Sequence, residues 1–323
     1  MGEIDWKRLY PGIPFKKCSI CGKETLVSYP LGICEECIRE WREGVLSRIE
    51  EVHRRIIPGG KCNLCVNRCG VVPGACGVVD RKRVSLEWYY DPLPTNCVAA
   101  FVCGETHGKN LAVFYTSCTF DCLFCQNWHF RITRSKKYSA DELLALVDED
   151  TRCICFFGGD PASVIEHTIE VGEKAKVKVC WETNGSENPE IMKRVAELAL
   201  KTGGIVKIDL KALDKNIHLA LTGSSNEFTL ENVKNLGRIK RELPLLVVST
   251  LLVPGYVGPW EVERIAALLS SINPDIPLSL LAFYPAFRMN DLPCTSGRHA
   301  FEAKERAEKY LKNVHIGNVH LLW

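Results

Sequence analysis

Three cysteines in the run Cys118-Thr-Phe-Asp-Cys122-Leu-Phe-Cys125 stand with no fourth cysteine at matching spacing nearby. An electron-carrying cube of four irons is held by four thiolates. Three thiolates leave one iron with an open position where chemistry can occur, as the open position of a catalytic zinc does. The CxxxCxxC spacing therefore predicts a reactive 4Fe–4S cluster held by Cys118, Cys122 and Cys125.

Two further cysteine groups precede it. Cys18-Ser-Ile-Cys21 and Cys34-Glu-Glu-Cys37 are CxxC pairs separated by 12 residues. Each pair converges two sulfurs from a tight turn, and two such knuckles complete a closed tetrahedron suited to structural zinc. A rubredoxin-like iron site is the alternative. Cys62, Cys65, Cys69 and Cys76, interleaved with Gly70, Gly74 and Gly77, predict a second compact metal loop, zinc ahead of iron–sulfur, or else four buried free thiols. Cys97 and Cys103 either supplement that loop or pack ordinarily, and Cys153, Cys155 and Cys180 are expected in the core.

These groups sit in an ordinary composition. The chain has 323 residues, 46% hydrophobic and 25% charged, with formal net charge +2 and 17 cysteines. That length supports a full core without disulfide staples. No apolar run approaches the length of a membrane span, and Met1–Tyr10 lacks the basic start and apolar run of a secretory signal. A soluble cytoplasmic protein is expected, with reduced thiols available to metals. Near-neutral charge argues against wholesale nucleic-acid binding.

From Asn110 onward, β-branched runs alternate with amphipathic segments. Strands are expected at Leu111–Thr116, Cys153–Phe157, Val177–Trp181, Ile205–Leu210, Leu245–Leu252 and Pro277–Phe283. Helices are expected at Ser139–Asp150, Ala162–Glu173, Pro189–Leu200, Glu227–Lys240, Pro259–Ser271 and Arg298–Leu311. The alternation predicts an α/β fold, a partial (β/α)6 barrel preceded by small cysteine-rich modules. The expected divisions are 1–57 (ribbon and linker helix), 58–109 (cysteine/glycine-rich module) and 110–323 (barrel with C-terminal extension). An apolar stripe of Ile38, Trp41, Val45, Ile49, Val52 and Ile56 predicts one helix, Glu35–Ile57, packing on the neighbouring domain. Gly158-Gly159-Asp160-Pro161, Glu182-Thr-Asn-Gly, Asp209-Leu-Lys211 and the cysteine run all follow strand ends, hence one rim.

In that order the motifs resemble the radical S-adenosylmethionine (SAM) superfamily over roughly Leu111–Phe287, and within it the activating enzymes of glycyl-radical enzymes. The GGxP element stands about 33 residues after Cys125. Glu182-Thr-Asn-Gly is similar to those enzymes' DTNG, with Glu in place of Asp, and Asp209-Leu-Lys211 to their DLK. Tyr284 stands where the family often has His. A closer resemblance is to AmmeMemoRadiSam-type proteins, through Cys62–Val78, Phe283–Met289 and Ile316-Gly317-Asn318.

The resemblance implies a 4Fe–4S cluster, SAM bound near Phe124, Gly158, Gly159, Asp160, Glu182, Asp209 and Lys211, and reductive SAM cleavage followed by hydrogen abstraction. It further implies an electron donor of ferredoxin or flavodoxin type, and a substrate protein or small molecule. Each motif also has a plainer reading. The glycines could form only a strand-to-helix turn, Asp209 and Lys211 a structural ion pair, and Glu182 a helix cap. The basic stretch Arg131, Arg134, Lys136 and Lys137 could be a solvated face or contact an acidic partner. A different class, a zinc-ribbon binding protein with a secondary barrel, stays open on sequence alone.

Overall fold

The computed structural model describes residues 4–53, 60–70, 73–95 and 97–323. Strands β1 (Lys16–Lys17) and β2 (Glu24–Thr25) form a small antiparallel ribbon carrying the first CxxC. The remaining strands, β3 (Val84–Pro92), β4 (Lys109–Tyr115), β5 (Lys137–Tyr138), β6 (Thr151–Gly158), β7 (Lys178–Thr183), β8 (Val206–Asp209), β9 (Leu246–Leu252), β10 (Leu278–Ala282) and β11 (Val314–Gly317), share one sheet. Its order is β11-β10-β9-β8-β7-β6-β4-β3-β5. Pairing is parallel from β4 through β11, and antiparallel where β3 meets β4 and β5. Among the described residues no pairing joins β11 to β5, so the sheet stays open.

All six expected barrel strands are present. A seventh parallel strand, β11, was not anticipated because its four residues carry only one fully buried apolar side chain, Ile316. The segment read as a separate 58–109 module supplies β3, which extends the barrel sheet. Buried parallel strands read as continuous apolar runs, and β9, LVVSTLL, is buried at every position. Helices Ile165–Lys174, Pro189–Thr202, Glu227–Gly237, Pro259–Ile272 and Gly297–Glu308 cover the sheet. The expected Ser139 helix keeps its Ser139–Glu142 capping box but spans only Ala140–Leu144.

The expected continuous helix Glu35–Ile57 is broken. Helices Glu35–Arg39 and Val45–His53 are separated by Trp41 (φ 53) and Gly44 (φ 86), left-handed positions that an α-helix cannot contain. Residues 54–57 of that expected helix lie outside the described residues. Its stripe does pack inward: Ile38, Val45 and Ile49 are buried together with Phe120, Leu123 and Phe124 of the 118–125 loop. Trp41 is the exception, 38% exposed. Several polar anchors fix this head to the barrel, two of them fully buried on the barrel side. Tyr256 Oη accepts the Ser28 backbone N–H at 2.9 Å, and the Arg39 guanidinium meets the fully buried Glu261 carboxylate at 3.0 Å. Among the described residues no helix is long and apolar enough to cross a membrane.

Candidate active site

The 118–125 loop leaves the end of β4 and is held by backbone bonds from several sides. The Asp121 and Leu123 N–H groups donate to the Thr222 and Leu221 carbonyls, and the Leu123 carbonyl accepts from the Arg288 and Met289 N–H groups. Asp121, between two of the cysteines, is buried. Burial alone would raise its pKa, but the His53 hydrogen bond and the Arg131 and Arg288 charges hold it below the ordinary carboxylate range. Arg131 therefore turns inward to Asp121 at 3.1 Å and does not belong to the solvated basic face expected for it.

Cys118, Cys122 and Cys125 open onto one cavity with Phe124, Gly159, Asp160, Glu182, Asp209 and Lys211. The convergence follows from strand direction, since each motif ends a parallel strand and all ends share one rim. Burial raises all three thiols, Cys122 to about 12 despite the nearby Lys211 charge. Metal binding at such thiols must displace protons.

The glycines have a reason besides ligand approach. A Cβ on Gly158 would overlap the Phe114 ring. One on Gly159, at φ +57, would overlap the Tyr115 and Ser117 carbonyl oxygens. The turn must pass flush against β4, whatever occupies the cavity.

Asp160 acts as a clamp. Its carboxylate accepts from the Ala162 N–H at 2.7 Å, the Asn184 N–H at 2.8 Å and the Thr183 hydroxyl at 3.0 Å. Burial nevertheless raises it to about 6, against those hydrogen bonds. Glu182 caps no helix; the next one is capped by Asn188. It pairs with Lys207 at 3.0 Å. Asp209 and Lys211 do form the ion pair of the plainer reading, and both line the cavity. Asp209 Oδ1 is buried with no hydrogen-bond partner among the described residues, an acceptor available to a ligand. A rim of clustered thiols, an orphaned carboxylate oxygen and a partly buried lysine fits an iron–sulfur cluster and a zwitterionic cofactor.

The sequence motifs underused three lining residues. Asn184 lay inside the Glu182-Thr-Asn-Gly motif, and Asn318 inside the Ile316-Gly317-Asn318 segment. Asn127, two residues beyond Cys125, also lines the cavity. Tyr284 is half exposed and lies outside the cavity.

The Cys18, Cys21, Cys34 and Cys37 sulfurs all lie within 4.8 Å of one another. The Cys18–Cys37 and Cys21–Cys34 pairs are each 3.8 Å apart. Four sulfurs at about 2.3 Å from a central ion in a tetrahedron would stand about 3.8 Å apart, so the quartet could hold one metal ion. Among the described residues no other group of three or more such donors meets that limit. The thiols of Cys62, Cys65, Cys69 and Cys76 are near enough that Cys69, Cys76 and Cys62 add to the burial that raises Cys65 to about 12. They are not gathered at single-ion distance. Cys97 and Cys103 do not supplement this loop; they face Cys153, Cys155 and Cys180 inside the barrel.

Residues 112–269 match the family model described as the radical SAM superfamily. Over 205 residues it is 29% identical to a Methanocaldococcus jannaschii protein provisionally named as a glycyl-radical enzyme activating enzyme, covering 61% of this chain and 76% of that protein. It is 26% identical to the 4-hydroxyphenylacetate decarboxylase activating enzyme of Clostridioides difficile strain CD196, over 75% of this chain and 82% of that one. Among solved structures, Streptococcus suis SuiB bound to S-adenosylmethionine aligns with TM-score 0.50 at 15% identity, over 66% of this chain and 51% of that one, a likeness of fold.

Proposed function

We propose that the protein is a radical SAM activating enzyme whose substrate is a glycyl-radical enzyme. The reading rests on one observation: Cys118, Cys122 and Cys125 share a single cavity with Asp160, Glu182, Asp209 and Lys211. When bound, a 4Fe–4S cluster on the three thiolates supplies the electron that cleaves SAM reductively, giving the radical that removes a substrate hydrogen. Lys211 offers the cation for a carboxylate, and the free Asp209 oxygen an acceptor for an amine or hydroxyl. Asp160 fixes the 158–161 turn against the Asn184 backbone. Phe124, beneath the Lys211 ammonium at 5.7 Å from its ring centroid, excludes water from the floor of the site.

The electron comes from a ferredoxin- or flavodoxin-type donor, and the substrate protein presents a glycine-bearing loop to the open rim. Cys18, Cys21, Cys34 and Cys37 hold a structural zinc that rigidifies the head packed on the cluster loop. A further metal at Cys62, Cys65, Cys69 and Cys76 would require these thiols to draw closer together than they stand in the structure.

Anaerobic reduction of the reconstituted chain with SAM should release 5′-deoxyadenosine, and Cys122→Ala should abolish it. Retained 5′-deoxyadenosine formation in that variant sinks the assignment.

A further inference from the structure

Alternate residues of a strand face one side, and the inward faces of β6, β7 and β8 are stacked in levels. Phe157, Glu182 and Asp209 reach the rim cavity. Beneath them, Cys153 and Cys155 on β6, Cys180 on β7 and Lys207 on β8 line a second cavity, covered by the segment carrying Cys97 and Cys103. Cys155 and Cys180 are direct partners in the β6–β7 register.

Barrel interiors are ordinarily filled by branched apolar side chains. Five thiols around a buried lysine are a different material. Lys207 is 2% exposed, and burying an ammonium costs several kcal/mol unless it is paired. Its three N–H bonds have three acceptors: Cys155 Sγ at 2.9 Å, Cys97 Sγ at 3.0 Å and the Glu182 carboxylate at 3.0 Å. A thiol filling space needs no ammonium beside it. Thiolates ligating a metal do, because they carry excess negative charge, and hydrogen bonds to ligating sulfurs are a standard feature of iron–sulfur sites.

One of the five thiols has its own partner. Cys153 donates to Asn110 Oδ1 at 3.3 Å, which fixes it as a neutral thiol. The other four lie within electrostatic reach of one another: Cys97 and Cys180 act on Cys155, and Cys97 and Cys103 on Cys180. Soft thiolate donors select zinc, cuprous copper or iron–sulfur clusters. Spacing separates these. The donors that could grip one ion are at Cys18–Cys37, whereas no three of the buried thiols here lie within the same 4.8 Å of one another. A cube interposes four irons between its ligands and needs that width.

We propose that Cys97, Cys103, Cys155 and Cys180 bind a second iron–sulfur cluster inside the barrel, with Lys207 as its hydrogen-bonding counter-cation. The site touches the rim cavity through the Lys207–Glu182 pair, but iron content and SAM cleavage are separate readouts, so either assignment can fail alone.

The test is anaerobic reconstitution of the full chain with ferrous iron and sulfide, followed by iron, sulfide and zinc analysis. Cys155→Ser/Cys180→Ser should lose about four irons and four sulfides per chain relative to the unmodified protein. Cys97→Ser/Cys103→Ser, on the partly exposed cover, should lose the same increment with less risk to folding. Cys153→Ala should keep the full iron content. Unchanged iron in the Cys97/Cys103 variant, loss of zinc in place of iron, or an equal iron loss in Cys153→Ala would each overturn the proposal. Loss of 5′-deoxyadenosine formation in Cys122→Ala reads out the rim site separately.

Discussion

The Asn184 side-chain nitrogen lies 3.9 Å from the Cys118 sulfur and donates to the Thr119 hydroxyl at 2.7 Å. The same residue's backbone N–H is held by Asp160, so the ends of β4, β6 and β7 are tied together at one side chain. The cluster loop thereby takes its position from the strand that carries the cofactor-facing motif.

Asn184→Ala should separate positioning from metal binding. The three cysteines remain, so iron content should stay at the unmodified level. Losing the Thr119 bond and the contact at Cys118 should lower the rate of 5′-deoxyadenosine formation by roughly fivefold to 150-fold, the range for one to three kcal/mol of lost positioning. A variant that loses iron in proportion to activity would instead make Asn184 a purely structural residue.

Gly159→Ala tests the close passage of the turn. Its Cβ would meet the Tyr115 and Ser117 carbonyls, which cannot swing away, and φ +57 is unfavourable for alanine. We expect a loss of more than about 2 kcal/mol in denaturant unfolding. Gly203→Ala, at φ +79 but meeting only the Lys178 side chain at 3.8 Å, should cost about 1 kcal/mol. Equal costs would show that backbone conformation alone decides both.

The strands and rim motifs were legible because they depend on local spacing and strand direction. Three features were not. The break at Trp41 and Gly44 is hidden because Ile38, Val45 and Ile49 keep a helical stripe on both sides of it. Arg131 read as one of four surface cations because its partner, Asp121, is ten residues away around a loop. The thiol cavity was invisible because Cys97, Cys103, Cys155 and Cys180 come from elements that only the barrel brings together.

Glu261 joins head to barrel. It is fully buried, pairs with Arg39, and accepts the Leu213 and Asp214 N–H groups, each at 2.8 Å. Glu261→Ala leaves a buried guanidinium and two amides without their acceptor. About 3–5 kcal/mol should be lost, measured by thermal or denaturant unfolding of the metal-loaded chain. A change under 1 kcal/mol would mean that Asp214, 3.2 Å from Arg39, suffices alone.

The head's metal should matter to the same interface, since Cys34, Cys37 and Ile38 share an apolar core with Phe120 and Leu123. Cys34→Ala/Cys37→Ala should lose about one zinc per chain and lower the unfolding midpoint, while iron at the rim is retained. Zinc content equal to that of the unmodified protein would place the zinc elsewhere.

His218 gives a pH dependence with a defined sign. Its Nδ1 bonds the Ser224 carbonyl at 2.9 Å, while its Nε2 is buried with no hydrogen-bond partner among the described residues. Burial lowers it from 6.5 to about 4; the Ser224 bond opposes this, and the Lys211 charge adds to it. Between those values the unfolded chain binds a proton that the folded chain refuses. The stability from this group is therefore complete above about pH 6.5 and lost as pH falls toward 4. His218→Asn keeps a donor for Ser224 but cannot titrate. Its stability relative to the unmodified protein should be flat above pH 6.5 and improve by roughly 3 kcal/mol on reaching pH 4. Because the His218 ring meets Phe120 edge-on at 5.2 Å, protonation should also loosen the cluster loop. Iron release on acidification should then begin at a lower pH in the variant, and identical release curves would uncouple the two.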